Sequence, residues 1–395
     1  MAIKYGRRHL LLGLATLIPP VMGIFLILAG SLQPPPTADE VCALAQADRF
    51  DEAHARGADY LRRTPGDSRV LLVMAEVALA RPGPDPIHAL AWLDRIKPNS
   101  GSLAAWTLLD QGKAFYLLSQ YDRSETSWLA ALRQDPSVVE AGRRLLDLFV
   151  LQGRFTEASV MILPQLKHEP NPRDRVLLLL KLVKLEVDPP EPWSVINQLQ
   201  PVVRANPVDL PTSISCGLAL VSVSRSEEGL AMLRGSLETN PDAPTAWDAL
   251  LTGLEFAYRS EESAAVWSRL PQTMAADPRF AKHVGRMHEE ARRWSDAAHA
   301  YRRAWEYAPD NIVGYRLRRA LYLADQIEEA ARWDRRILDY RSAFKQARVI
   351  CDQVDTALKQ GRMPHVGLCR LMADLRERMG RVDEARAWQQ IDVHE

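Results

Sequence analysis

Basic residues are concentrated in one stretch of the sequence. Residues 279–348 hold sixteen Lys or Arg against ten Asp or Glu. Guanidinium groups bind carboxylates through paired, charge-assisted hydrogen bonds, so this composition indicates either an anion-binding site or a solvated Arg-rich face. Three adjacent arginine pairs lie in the stretch: Arg292 and Arg293, Arg302 and Arg303, and Arg318 and Arg319.

Histidines offer two further candidates for chemistry. His283 and His288 are five residues apart, a spacing that does not place both side chains on one face of a helix. His365 and Cys369 are four residues apart and do share a face, but we interpret this pair as a core or surface pair rather than a zinc site. No phosphate-binding loop, HExxH, GxSxG or EF-hand motif occurs. We therefore expect no catalytic residue, no metal and no cofactor.

The overall composition is that of a chain with a substantial buried core. Of 395 residues, 47% are apolar and 25% are charged, as in ordinary globular proteins. Fifty basic and fifty acidic residues cancel, so the net charge gives no reason to expect nucleic acid as a partner. No CxxC pair occurs, so we expect neither a disulfide framework nor a zinc site. We expect buried packing roles for the four cysteines, which are Cys42, Cys216, Cys351 and Cys369.

Proline recurs at a nearly constant interval. Seven prolines are separated by 33, 38, 34, 37, 34 and 68 residues, and the last interval is two periods of 34. A fixed period of this length indicates a repeat array. The seven are Pro65, Pro98, Pro136, Pro170, Pro207, Pro241 and Pro309.

The residues between these prolines resemble the tetratricopeptide-repeat family. Its pattern has small residues at positions 8 and 20, large or aromatic residues at 4, 11 and 24, Ala near 27 and Pro at 32. Residues 105–138 fit closely, and residues 278–311 and 210–243 supply further matches. The residues at these packing positions are Leu108, Gly112, Phe115, Ser124, Trp128, Ala131, Pro136, Gly217, Gly285, Ala297, Tyr301, Ala304 and Pro309.

The resemblance implies an all-α fold. Residues 38–395 are expected to form a right-handed superhelical α-solenoid of about nine to ten helix hairpins, in which each hairpin covers the apolar face of its neighbour. Small residues at positions 8 and 20 let the two helices of a hairpin approach closely. The family implies a protein-binding scaffold rather than an enzyme. Weaker units are expected to begin near Pro34, Ser68, Arg173, Pro244 and Asn311.

The resemblance also implies a place for the ligand. First-helix positions 2, 5, 9, 12 and 13 line the inner groove of such proteins, and in one unit the first three of these are Arg279, Lys282 and Arg286. Arg316 falls near position 5 of the next unit. These four residues are therefore candidates to bind a carboxylate-bearing peptide. The alternative is an ordinary solvated face that neighbouring acidic residues partly neutralise.

An apolar segment precedes the repeats. Residues 10–32 carry no charge, and as a helix they would extend roughly 34 Å, enough for a bilayer core of about 30 Å. Basic residues come before the segment and acidic residues follow it, which predicts a cytoplasmic N-terminus. A cleaved signal peptide is the alternative. The predicted regions are 1–9, a basic cytoplasmic N-terminus; 10–32, a transmembrane anchor; 33–37, a Pro-rich spacer; and 38–395, the repeat domain.

These expectations combine into one hypothesis with two alternatives. The protein is predicted to be a membrane-anchored scaffold whose repeats lie in the periplasm and bind a peptide or protein of an envelope assembly, secretion or maturation complex. The first alternative is a non-catalytic accessory subunit of an envelope enzyme such as a glycosyltransferase. The second is anionic-ligand binding by residues 279–348.

Overall fold

The computed structural model describes residues 34–97 and 102–391. Within these ranges the chain forms twenty-one α-helices and no strand. None of the helices in the described part is long and apolar enough to cross a membrane. The predicted transmembrane segment, residues 10–32, lies outside the described residues.

Twenty of the helices follow one another as ten consecutive pairs, and in nine of these pairs the two helices pack on each other. The exception is the pair Pro172–Val187 and Pro192–Ala205, whose second helix packs instead on Leu210–Ser222. The first helices of the pairs are α1 Ala38–Gln46, α3 Ser68–Ala80, α5 Ser102–Leu117, α7 Val139–Leu151, α9 Pro172–Val187, α11 Leu210–Ser222, α13 Pro244–Phe256, α16 Ala281–Glu290, α18 Asn311–Leu323 and α20 Val366–Arg378. The second helices are α2 Phe50–Arg63, α4 Pro86–Leu93, α6 Tyr121–Gln134, α8 Phe155–Gln165, α10 Pro192–Ala205, α12 Ser226–Thr239, α14 Ser260–Ser268, α17 Trp294–Tyr307, α19 Ile327–Lys359 and α21 Val382–Gln389. A single turn, α15 Gln272–Ala275, and two short 3-10 helices, Leu166–His168 and Pro278–Phe280, lie between pairs.

The turn between the two helices of a pair has a recurring geometry. In eight pairs the second residue after the first helix has positive φ, and six of these eight residues are not glycine. The amide of the next residue then bonds to a carbonyl five residues back, as from Arg154 to Phe149 at 2.9 Å. This hydrogen bond is the Schellman type of helix end. Arg154 also pairs with Glu125 of the preceding hairpin at 2.6 Å, so the turn links neighbouring repeats.

Small residues allow close helix contact where the repeat pattern places them. A Cβ atom on Gly112 would lie 2.2 Å from Nε1 of Trp128, and one on Gly285 would lie 2.6 Å from the ring of Tyr301. The Trp128 Nε1 donates to the carbonyl of Leu109 at 3.1 Å, which fixes the indole in this contact. Of the other packing positions, Phe115, Ser124, Ala131, Gly217, Ala297 and Ala304 are buried, Leu108 is half-buried, and Pro136 and Pro309 follow the ends of α6 and α17.

First helices lie on the inner side of the stack. In several places the first helix of one pair packs on the first helix of the next, as α1 does on α3, α3 on α5 and α11 on α13. The side of these helices that faces away from their own partners therefore forms the inner surface. This is the surface on which the family resemblance places the ligand.

The C-terminal helices return to the middle of the array. The 33-residue helix α19 packs against α9, and α21 contacts both α8 and α9. Lys184 of α9 pairs with Asp355 at 2.7 Å, and Glu186 pairs with Arg381 at 2.7 Å. The expected continuous groove is therefore interrupted, because the chain itself covers α9.

A buried ion cluster joins these distant segments. Arg376 is fully buried, and its Nη2 lies 2.6 Å from Oε2 of Glu186 and 2.8 Å from Oε2 of Glu384. Burial opposes ionisation of Glu186, but the charges of Arg376 and Arg381 outweigh it and lower its pKa. Burial is the larger influence on Glu384 and raises the pKa of that carboxyl. Buried charges need such partners to remain ionised.

Candidate partner-binding site

Three first helices, α13, α16 and α18, carry charged side chains on the faces where the repeat pattern places the groove. On α13 and α16 these side chains are partly buried, from 14% exposed for Glu289 to 35% for Lys282. Two acidic residues of α13, Asp248 and Glu255, are seven residues apart and share a face of the helix. Lys282 and Arg286 of α16 are four residues apart and share another. The charged side chains of the three helices meet in a row of ion pairs.

Asp248 forms the first group of this row. Its Oδ1 lies 2.9 Å from Nζ of Lys282 and 2.8 Å from Nε2 of His283. Burial disfavours the charged carboxylate, but the charge of Lys282 and the hydrogen bond from His283 outweigh it and lower the pKa of Asp248 to about 2. His283 is buried, and this burial lowers its pKa despite the nearby carboxylates. Asp248 is therefore ionised at neutral pH, next to an uncharged imidazole.

Glu255 forms the second group. Its Oε1 lies 2.8 Å from Nη2 of Arg316 and 3.4 Å from Nη1 of Arg286. One carboxylate of α13 thus joins a cation of α16 to a cation of α18. Two arginines that the sequence places thirty residues apart share this single acidic partner.

Glu289 forms the third group, on α16. Its Oε1 accepts from Arg319 at 2.5 Å, and its Oε2 accepts from the Tyr301 hydroxyl at 2.6 Å. Burial and the hydrogen bond to Glu289 raise the pKa of Tyr301, so the hydroxyl remains a donor. Tyr301 is also the ring that packs on Gly285. The hairpin contact and the ion-pair row are therefore mechanically connected.

The structure brings together three of the four predicted cations. Lys282, Arg286 and Arg316 all belong to the row, and each has a carboxylate partner. Arg279 lies in the short 3-10 helix before α16 and pairs there with Asp277 at 3.0 Å. The row is a set of alternating charges rather than an unpaired basic patch. It agrees with the alternative interpretation in one respect, since neighbouring acidic residues neutralise its cations.

The sequence interpretation missed two of the three carboxylates that neutralise the row. Asp248 and Glu255 belong to the preceding hairpin, whose first helix begins at Pro244. Counted from there they are positions 5 and 12, the positions that Lys282 and Glu289 occupy in the next unit. Comparing equivalent positions of adjacent units would have found both.

Apolar side chains lie beside the charges on α18. Ile312, Arg316, Arg319 and Leu323 follow one another at spacings of four, three and four residues and so share one helix face. Ile312 is 55% exposed and Leu323 is 48% exposed. A second stripe of α18 carries two half-exposed rings, Tyr315 and Tyr322. The surface combines hydrogen-bonding charges with uncovered apolar groups, a composition that suits a protein segment.

The remaining candidates for chemistry have structural partners. His288 accepts from Nε of Arg293 at 3.0 Å, and His365 caps α20 by accepting from the amide of Gly367 at 3.0 Å. In the described part of the chain no group of three or more His, Cys, Asp or Glu is placed to hold a metal ion. All four cysteines are buried free thiols, as predicted.

Sequence comparison agrees with the hairpin geometry. Residues 109–158 match the tetratricopeptide-repeat family model. The chain therefore contains tetratricopeptide repeats. A search of the curated proteins gave no match to its sequence. The repeat fold is generally a non-catalytic scaffold that binds other proteins.

The solved structures that match this chain have low sequence identity to it. The APC/C hetero-tetramer Cut9–Hcn1 is 13% identical, with coverage of 93% of this chain and 81% of that chain and a TM-score of 0.34. The human IFIT1 dimer with PPP-AAAA is 12% identical, with coverage of 89% and 80% and a TM-score of 0.31. The C-terminal part of a TPR repeat-containing protein from Cytophaga hutchinsonii is 12% identical, with coverage of 71% and 99% and a TM-score of 0.32.

Proposed function

We propose that this protein is a non-catalytic scaffold that binds a segment of a partner protein along the inner faces of α13, α16 and α18. The observation that carries the proposal is the uncovered inner face of α18. Ile312 and Leu323 lie exposed there beside ion-paired arginines, and Tyr315 lies exposed on the neighbouring stripe of the same helix. Exposed apolar groups next to oriented charges supply both burial energy and direction for a bound peptide.

The neutral ion-pair row predicts the character of the ligand. Because Glu255 and Glu289 already neutralise Arg316 and Arg319, a strongly acidic ligand gains little net attraction here. A ligand carboxylate binds only by replacing one of these acidic partners. We therefore expect a segment with mixed polar and apolar residues, and binding that depends weakly on salt concentration.

Site-specific photo-crosslinking tests this location. A photoreactive residue at Tyr315 is expected to capture a partner that the same residue at Val160, a 71% exposed position on the second helix α8, does not capture. The captured segment is then identified by mass spectrometry and synthesised as a peptide. Binding of this peptide to the purified protein is measured by fluorescence anisotropy.

Two double variants then distinguish a specific site from non-specific hydrophobic binding. Replacing Ile312 and Tyr315 together by Ala is expected to weaken peptide binding about 10-fold or more, since each exposed anchor contributes about 1 kcal/mol or more. Val160→Ala with Val208→Ala removes two exposed side chains elsewhere and is expected to leave affinity unchanged. Equal affinity of both double variants for the peptide contradicts the proposal.

The membrane location is part of the same proposal and is supported by the sequence. The uncharged segment 10–32 with basic residues before it favours a single-pass anchor in the inner membrane and a periplasmic repeat domain. This position suits a scaffold for an envelope assembly, secretion or maturation complex. A C-terminal alkaline phosphatase fusion is expected to be active, and an inactive fusion contradicts export. N-terminal sequencing of the mature chain distinguishes an anchor from a cleaved signal peptide.

A further inference from the structure

The long helix α19 carries cations that have no acidic partner. Five exposed basic residues lie between positions 332 and 345, and for none of them does the described part of the chain place a carboxylate within ion-pair distance. One of the five, Arg336, lies over the ring of Trp333 at 4.8 Å from its centroid. The five are Arg332, Arg335, Arg336, Arg341 and Lys345.

The acidic residues of the same stretch are already engaged by other helices. Glu329 pairs with Arg302 of α17. Asp334 lies 3.6 Å from Arg318 of α18, and Asp339 lies 2.5 Å from Arg378 of α20. Cations of neighbouring helices thus pair with these three carboxylates, and the five cations between positions 332 and 345 remain without an acidic partner among the described residues.

The free cations alternate with exposed aliphatic side chains. Arg335, Leu338, Arg341, Lys345 and Val349 follow one another at spacings of three or four residues, which places them along one side of the helix. Leu338 is 60% exposed and Val349 is 56% exposed. The outer surface of α19 is thus a ridge with a basic and a hydrophobic character.

The shape and surroundings of the ridge favour a narrow ligand. Arg378, which pairs with Asp339 of α19, also lies 3.8 Å from Asp374 of α20. Asp374 is 61% exposed and lies beside the ridge, and Glu377 is exposed on the same helix. A flat anionic bilayer would meet these carboxylates, whereas a single helix or strand along the ridge avoids them.

We propose that the outer face of α19, from Arg332 to Val349, binds an acidic amphipathic helix of a partner protein. Carboxylates at helical spacing pair with the arginines, whose planar groups favour two-point contacts. Apolar side chains of the ligand cover Leu338 and Val349. This ridge lies on a second helix, outside the groove of α13, α16 and α18, and its ligand is acidic where that of the groove is mixed.

The probe for this proposal is a designed peptide of about 14 residues, or four helical turns. It carries Glu along one face and two Leu between them, and a scrambled peptide of the same composition is its control. Fluorescence anisotropy is expected to show the designed peptide binding at least about 10-fold more tightly than the scrambled one, with affinity that falls as salt rises from about 0.05 to 0.2 M. Equal binding of the two peptides, or no binding of either, overturns the proposal.

Two triple variants with the same change in charge locate the site. Arg335→Glu, Arg341→Glu and Lys345→Glu together are expected to reduce affinity for the designed peptide about 10-fold or more. Arg133→Glu, Lys167→Glu and Arg204→Glu change exposed cations elsewhere and are expected to keep affinity within about 3-fold. An equal loss in both triples shows general attraction and overturns the site.

A milder triple and two other probes complete the test. Arg335→Gln, Arg341→Gln and Lys345→Gln together guard against misfolding, and a native melting temperature with lost peptide binding supports the site. Vesicles of phosphatidylserine and phosphatidylcholine and a short DNA duplex are measured in parallel. If either binds in a manner that the α19 triple abolishes while the designed peptide does not bind, the partner is of another class and the proposal fails.

Discussion

The helices α9 and α18 each begin a unit of the repeat pattern, but their surroundings differ, because α19 packs on α18 whereas α10 does not pack closely on α9. After Arg173 no residue of α9 is fully exposed, because α7, α8, α19 and α21 surround the helix. The inner face of α18 carries Ile312, Arg316, Arg319 and Leu323 and has no cover in the described structure. In a solenoid, two sides of each first helix pack within the array. The composition of the remaining side determines whether other parts of the chain bury it.

The difference between the two helices is already visible in their sequences. The segment from Val176 to Val187 reads as apolar on every side, with two lysines and one glutamate interrupting it. A helix that is apolar all round must be buried. The α18 segment has a polar stripe on its inner side and needs no cover. The C-terminal helices therefore bury apolar sides of α9 that the neighbouring repeats alone leave uncovered.

The largest expected effect comes from breaking the buried cluster that holds the covered region together. Arg376→Ala leaves Glu384 buried without its cation and leaves Glu186 with Arg381 alone, which is expected to cost about 3–5 kcal/mol of unfolding free energy. Urea denaturation followed by circular dichroism measures the loss. Hydrogen exchange should speed up in α9, the helix that the C-terminal segment covers. A loss as small as that of Lys359→Ala, which removes an exposed partner of Asp355, contradicts the closure.

A matched pair of leucine substitutions compares the two faces directly. Leu182 of α9 is fully buried, and Leu323 of α18 is 48% exposed. Leu182→Ala is expected to cost about 2–5 kcal/mol because it leaves a cavity, and Leu323→Ala is expected to stay within about 0.5 kcal/mol. The same denaturation measurement reports both. Similar losses would mean that the faces are equally buried in solution.

The regular part of the fold was predictable because it repeats. Proline spacing and small residues such as Gly112 and Gly285 placed the hairpins, and units expected near Ser68, Arg173, Pro244 and Asn311 correspond to helices that begin at or next to these residues. Each repeat provides independent evidence for the same geometry. Local patterns of this kind depend on contacts between neighbouring residues and units.

The closure and the neutral row were not predicted because they depend on distant contacts. No Gly or Pro interrupts residues 327–359, and this absence of breakers fits one continuous helix. Nothing local connects Arg376 to Glu186, nearly two hundred residues away. The cations of the row were found from their positions, but their partners Asp248 and Glu255 lie on another hairpin.

A glycine substitution tests the helix contact that lies beside the ion-pair row. Gly285→Ala would place a Cβ 2.6 Å from the Tyr301 ring, which is expected to cost about 1–3 kcal/mol by overpacking. Gly235→Ala is the control, because a Cβ there meets nothing within 4 Å and a helical Gly→Ala change is expected to stabilise by up to about 1 kcal/mol. Melting temperatures that move in the same direction for both variants contradict the assigned helix register.

The smallest expected effect is a pH dependence that belongs to the open groove. Burial lowers the pKa of His283 below its ordinary value of 6.5, so the unfolded chain binds this proton more tightly than the folded one. Stability is therefore complete above about pH 6.5 and falls as pH drops below it, by at most about 1.4 kcal/mol for each pH unit. Asp248, with its pKa lowered to about 2, keeps its stabilising charge until the pH falls below about 4.

Melting temperatures between about pH 7.5 and 5 should thus fall less for His283→Gln than for the parent protein. His299→Gln, at an exposed position on α17, should retain the parent's slope. If His283→Gln and the parent have the same slope, the imidazole is not held neutral between Asp248 and Glu255, and the ion-pair row at the groove does not have the charges assigned to it.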